Sequence, residues 1–298
     1  MESFFLCLKF KILLIPAAIF APGATLAFFA AATAYFSARS SHYMRLYCDA
    51  LSFDKRMGAY FEAVKGNLHL GGLSDQIAAS LSDFKSRAQS FETLAEVFAI
   101  YAVIFAIVTL AFRSADRKSL VNNAFFISAA FLFIGLTSPM LTFQASKTIT
   151  FNLKDISKTL PDSEIINLGE TVFKYESKGV AGTVSSLFST GRISGIIPGI
   201  LIVFFSVVFP VVKLAAGFLS HNGFLNESRA RAVLALGKWS MADVFIVAVL
   251  LSFLALDAQD LTKASVGIGF YFFSAYWMIS TAAGHFAAEA PRTEKGVK

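Results

Sequence analysis

Gly195-Ile-Ile-Pro-Gly-Ile-Leu-Ile-Val-Phe-Phe-Ser-Val-Val-Phe-Pro-Val-Val-Lys-Leu-Ala-Ala-Gly-Phe-Leu219 contains a single ionisable side chain, Lys213. A helix of about 20 apolar residues, rising 1.5 Å per residue, crosses the hydrocarbon of a bilayer. The stretch therefore reads as a transmembrane helix. Working outward, five more apolar runs lie at Ile12 to Ser37, Leu94 to Phe112, Ala124 to Phe143, Trp239 to Leu256 and Val266 to Ala287. Composition agrees: 56% of the 298 residues are hydrophobic and only 15% charged, with a mean hydropathy of +0.63. A soluble domain carries roughly 25% charged residues. So many long apolar runs need a bilayer as their solvent.

The formal net charge of +6 raises nucleic acid as a partner, and the distribution of charge argues against it. Arg113, Arg117 and Lys118 lie between the second and third runs. Arg229, Arg231 and Lys238 lie between the fourth and fifth, and Arg292, Lys295 and Lys298 follow the sixth. Basic residues in short connections mark the cytoplasmic side. Lys9 and Lys11 precede the first run and place the N-terminus inside too, so the number of crossings is even. The expected fold is an all-α membrane protein of about six transmembrane helices with both termini cytoplasmic. The first run also resembles a signal peptide, with Ala32-Thr33-Ala34 in the place of a cleavage site. It is longer than a usual signal core and holds Pro16 and Pro22, and an uncleaved span is the reading retained.

Two longer segments then face the other side. Residues 38–93 read as helical, with Leu46, Ala50, Phe53, Met57, Phe61 and Val64 recurring at threes and fours. Gly71-Gly72 is the expected break before a second helix from Ser74. The segment is either an extension of the two flanking membrane helices or a unit of its own. Residues 145–194 contain Lys147-Thr148-Ile149-Thr150-Phe151-Asn152-Leu153 and Thr171-Val172-Phe173-Lys174-Tyr175, alternating and β-branched. They predict a small extracytoplasmic β-containing cap, open to two readings: an ordered cap with no ligand, or a surface that receives a partner.

Cys7 and Cys48 fall on opposite sides of the first run and cannot pair within one chain. His42, His69, His221 and His285 are far apart, and no CxxC or HxxxH spacing occurs, so neither a metal nor a cofactor is expected.

Inside the expected membrane, Lys213 lies about two turns before the cytoplasmic end of the fourth run, and Asp243 about one turn into the fifth. The runs are antiparallel, which gives the two charges comparable depth. An ionisable side chain there costs at least about 2.5 kcal/mol unless it finds a partner. Either the two pair, or Lys213 snorkels to the headgroups while Asp243 stays wet near the interface. Ser206, two turns from Lys213, and Ser280 and Thr281 in the sixth run extend these charges into a candidate polar network, although Ser and Thr often bond only their own helix. Pro139 and Pro210 are expected helix kinks. Gly195-xxx-Gly199 suggests helix packing. No nucleophile elbow, phosphate loop or metal cluster appears, and catalysis is not expected.

The strings Phe209-Pro210-Val211-Val212-Lys213-Leu214 and Gly237-Lys238-Trp239-Ser240-Met241-Ala242-Asp243-Val244-Phe245 resemble the paraquat-inducible protein A family of bacterial inner-membrane proteins. The family module has four membrane helices with a small strand region after the first, and Ala124 to Ala288 looks like one copy. Thr137-Ser138-Pro139-Met140 matches the end of its first helix, Ser206, Pro210 and Lys213 its second, and Trp239, Ser240, Met241, Asp243 and Phe245 its third. For the fourth the similarity is general, and Ser280 or Thr281 takes the polar position by depth alone.

The resemblance implies two regions: an N-terminal hairpin over 1–122, and the module over 123–298 with its strand-containing loop at 145–194. It implies phospholipid movement between inner and outer membranes with a periplasmic MCE-domain partner. A scaffold or regulatory subunit that moves nothing is the alternative. Many relatives carry two modules and cysteine-rich zinc ribbons, whereas this chain has one module and no ribbon. Its added hairpin either replaces the second module or adapts the protein to another partner.

Overall fold

The structure is a computed structural model that describes residues 22–55, 58, 70–112, 116–152, 165–224, 242–257 and 262–288. Its elements run α1 (Pro22–Ala50), α2 (Leu70–Phe112), α3 (Arg117–Thr137), β1 (Leu141–Asn152), β2 (Ile165–Lys178), α4 (Val180–Ser189) and α5 (Ile193–Val203). A π turn (Phe204–Val208) then leads into α6 (Phe209–His221), followed by α7 (Ala242–Asp257), β3 (Thr262–Val266) and α8 (Ile268–Ala288). Among the described residues, three helical stretches are long and apolar enough to cross a membrane: Leu81–Phe112, Arg117–Thr137 and Ile193–His221. The fold is thus mainly helical, with a small three-stranded sheet.

The first two helices pair through a heptad seam that the sequence reading did not find. On α1 the residues Leu26, Phe29, Thr33, Phe36, Ser40, Tyr43 and Tyr47 alternate at threes and fours. On α2 the series is Phe84, Ala88, Phe91, Ala95, Phe98, Ala102, Phe105 and Thr109. Such a pattern keeps one stripe of each helix on its partner along the whole contact. Large faces small: Ala88, Ala95 and Ala102 are all but fully buried, which leaves room for aromatic rings between the helices. Tyr43 stacks on Phe91 at 5.4 Å, Phe36 on Phe98 at 5.3 Å, and Phe29 on Tyr101 at 6.0 Å.

Phe36 touches both Phe91 and Phe98, so Ser37 and Leu94, the expected span ends, lie opposite one another. Residues 38–50 continue α1 without a break, and residues 70–93 belong to α2. Those two parts of the segment are therefore extensions of the flanking helices. Gly71-Gly72 corrects the expectation: both lie within the first turn of α2 rather than before a helix. Early helical positions lack an i−4 acceptor anyway, so two glycines weaken little there. Met57, Phe61 and Val64 lie outside the described residues.

The hairpin is joined to the remainder at two levels. One is the packing of α1 on α3, where small buried residues of α1 such as Ala30 and Ser37 are of the kind that lets helices approach closely in a membrane. Further along, Cys48, Leu51 and Val172 form a buried cluster flanked by Met44, Tyr47, Leu81 and Tyr175. The Val172 backbone N–H donates to the Leu51 carbonyl at 3.2 Å, and Ser41 and Ser177 hydroxyls meet at 3.2 Å. Burial here pushes the Tyr175 hydroxyl up to about 12.

The sheet has the order β2-β1-β3, all antiparallel, with Leu141 opposite Lys178 on one side and Val266 on the other. It differs from the expected cap in three ways. β1 starts at Leu141, so the third run ends as helix at Thr137 and Leu141 to Phe143 are strand. β3 enters from the segment before the last helix, and α4 lies inside the loop expected to be strand. β3 is only five residues long, too short for a periodicity signal to separate it from a loop.

Candidate functional site

The apolar stretch from Ile193 to His221 is broken at its centre. Phe209 N–H bonds the Phe204 carbonyl, five residues back, and Phe204–Val208 forms a π turn. Pro210, fully buried in the next turn, has no N–H to give the Ser206 carbonyl. A widened turn is how a helix absorbs that loss, and such turns concentrate at functional sites. Ser206 sits within it at 3% exposure. The rings of Phe204 and Phe209 meet edge to face at 4.8 Å, and Phe205 stacks on Phe209 at 5.6 Å.

Packing fixes the heights of the polar positions. A Cβ on Gly217 of α6 would lie 2.7 Å from the Phe125 ring of α3, and one on Gly135 of α3 would lie 2.9 Å from the Phe273 Cβ and backbone nitrogen of α8. Counting about 1.5 Å per residue from these points puts Lys213, Ser280 and Thr281 within about one turn of each other. Ser206 lies about two turns nearer the sheet. Asp243 belongs to the first turn of α7, and its side chain lies outside the described residues, as do Trp239, Ser240 and Met241 altogether. Lys213 is half-buried.

The hydroxyls differ in what they do. Ser280 donates to the Trp277 carbonyl at 3.1 Å, spending its hydrogen on its own helix. Ser128, buried on α3 at a matching height, does the same with Ala124 at 2.8 Å. Ser138 Oγ is buried with no hydrogen-bond partner among the described residues. Tyr276 is fully buried on α8. Ser128, Ser138 and Tyr276 are buried polar residues beyond the candidate network expected from the sequence. Their signal was polarity inside otherwise apolar runs, the same signal that singled out Ser206 and Ser280.

Where helices meet sheet, three glycines close on Ser138 and Pro139. Side chains on Gly179, Gly267 or Gly269 would strike the carbonyls of these two residues. Gly269 N–H donates to the Pro139 carbonyl, and Gly267 N–H to the Met140 carbonyl, both at 2.9 Å. Pro139 therefore does not kink a helix, contrary to expectation. It holds Ser138 in extended backbone, ends α3 at Thr137 and starts the run into β1.

Elsewhere, Phe245 of α7 packs edge to face on Phe273 at 5.4 Å. Gly199 lies against the Phe188 ring and Gly195 against the Leu187 carbonyl, so the Gly-xxx-Gly spacing serves α4–α5 packing. At the end remote from the sheet, Asn122 and Asn222 exchange amide hydrogen bonds at 3.2 and 2.9 Å, and Arg117 donates to the Phe286 carbonyl at 3.2 Å. Among the described residues, no group of three or more His, Cys, Asp or Glu is placed to hold a metal.

Residues 170–290 match the family model described as paraquat-inducible protein A. The match takes in the later part of β2, the π turn with Ser206, α6 with Pro210 and Lys213, and the segments of Asp243, Phe245, Ser280 and Thr281. It leaves out the hairpin α1–α2, helix α3, Ser138 and Pro139 after it, β1, and the first five residues of β2. No curated protein and no solved structure matches the chain.

Proposed function

We propose, from the match of residues 170–290 to the paraquat-inducible protein A family model, that this membrane protein is a component of a phospholipid transport system between the inner and outer membranes of a bacterium. It sits in the inner membrane with six spans and cytoplasmic termini, and hands lipid to or from an MCE-type periplasmic partner. The three long apolar helices supply half of those spans. The basic connections supply the orientation.

The observation that carries this reading is the break in the fourth span. Ser206, Pro210 and Lys213 fall within the family match, in a helix that is otherwise a lipid-facing rod with Ile197, Ile200 and Leu201 about half exposed. A π turn and a lysine inside a span are costly unless they serve something. On the proposed reading, the Lys213 and Asp243 charges bias the helix arrangement and couple an ion to lipid loading. No group here acts as a catalyst, and no metal or cofactor takes part.

Mass spectrometry of phospholipid retained by purified wild-type protein, with pull-down of periplasmic partners, tests the reading. Enriched phospholipid and an MCE-domain partner are expected, and their joint absence sinks it. The second reading, a scaffold that moves nothing, draws support from Ser280 and Ser128, whose hydroxyls serve only their own helices. Lys213→Met with Asp243→Asn separates the two. A transporter assembles and loses activity, whereas a scaffold keeps its partner and its function.

A further inference from the structure

We infer that the π turn at Phe204–Val208 is a hinge on which the α4–α5 pair swings, opening a gap toward α3 wide enough for an acyl chain. The hinge stands on packing alone; only its use for lipid rests on the transport reading above.

Below the turn, α6 is fixed to α3. Gly217 seats the Phe125 ring, Phe126 meets Phe218 edge to face at 5.4 Å, and the Asn122 and Asn222 amides bond reciprocally. Above the turn, α5 is fixed to α4 instead, through Gly195 and Gly199 against Leu187 and Phe188. The α4–α5 pair is thus one body and α6 with α3 another. The π turn and the Gly179 contact beside Ser138 link the two bodies, and α4 packs laterally on α3.

In this structure the gap is shut, with Val184 of α4 and Ile202 of α5 packed against the core. The other side of α5 already faces outward through Ile197, Ile200 and Leu201. Lipid tails are as apolar as these side chains, so exchanging helix contact for acyl chain loses packing but no hydrophobic free energy. Pro210 removes the backbone bond that would stiffen the joint.

Distances between paired spin labels in bilayer discs test this on the full chain with Cys7 and Cys48 replaced. One pair, Ala129→Cys with Ile197→Cys, reports across the gap. The other, Ala129→Cys with Leu219→Cys, reports below the hinge. The upper pair is expected to show two distances, or a spread about twice that of the lower pair. Deleting Val207 returns the turn to α-helical count with both flanks in register, and is expected to collapse the upper pair to one distance. Pro210→Ala, a milder change, should narrow it. An upper pair as narrow as the lower in wild type, or a spread unchanged in both variants, overturns the hinge. Phospholipid retained by the detergent-purified proteins, measured before they enter the discs, keeps the questions apart: motion without retained lipid counts against the transport reading and leaves the hinge standing, and retained lipid without motion removes the hinge alone.

Discussion

At Gly135 an added methyl group would lie 2.9 Å from the Phe273 Cβ and backbone nitrogen, so α3 and α8 must part to admit it. Gly135→Ala is expected to cost about 1–3 kcal/mol by overpacking, read as a lower thermal midpoint in detergent. Gly284→Ala, with open space around it, is the control and should leave the midpoint unchanged or slightly higher. The Asn122 and Asn222 pair makes a second test. Asn122→Ala removes both reciprocal bonds while Asn222 keeps its bond to the Phe218 carbonyl at 2.9 Å, and should cost about 0.5–1.5 kcal/mol; the double change with Asn222→Ala should cost less than the two separate effects added together. Additive effects would mean that the reciprocal bonds contribute nothing. These residue-scale contacts were not legible beforehand, because a glycine in an apolar run says that something comes close without saying what. Ser206, Lys213 and Pro210 were legible, since a polar or imino residue inside such a run stands out unaided.

The hairpin α1–α2 shows how an element can hide its strongest signal. Its aromatic and alanine positions follow a strict three-four alternation, but alanine counts as weakly apolar and the stripe blurs when whole runs are apolar. Ala95→Leu is expected to force the Phe36 and Phe98 rings apart, and to lower the midpoint as Gly135→Ala does. The sheet element carries the Tyr175 hydroxyl, pushed up to about 12 by burial. A tyrosine neutral in the fold and free to ionise in the unfolded chain adds stability below about pH 10 that is lost as pH rises toward 12. An alkaline titration followed by tyrosine absorbance should therefore find Tyr175 ionising late, and Tyr175→Phe should remove one residue's share of the late absorbance. A titration unchanged by the substitution would place Tyr175 in water.

For the whole molecule, the hairpin and the sheet form one unit through Leu51, Cys48 and Val172. Val172→Ala is expected to speed hydrogen exchange in residues 41–50 while leaving α3 and α8 protected. Equal acceleration everywhere would mean that this contact supports the entire fold. The amino-acid order alone determined that the chain lives in a bilayer, where its main apolar runs lie, that strands follow the third run, and which polar residues interrupt the fourth. Those are properties of local composition and spacing, which act before any long-range contact forms. Tertiary structure decided that Pro139 ends a helix while Pro210 sits beside a π turn. It also decided that β3 joins β1 from more than a hundred residues away, that Ser280 bonds its own backbone, and that three glycines close on Ser138. Each depends on what a distant segment brings alongside, and no local pattern carries that information.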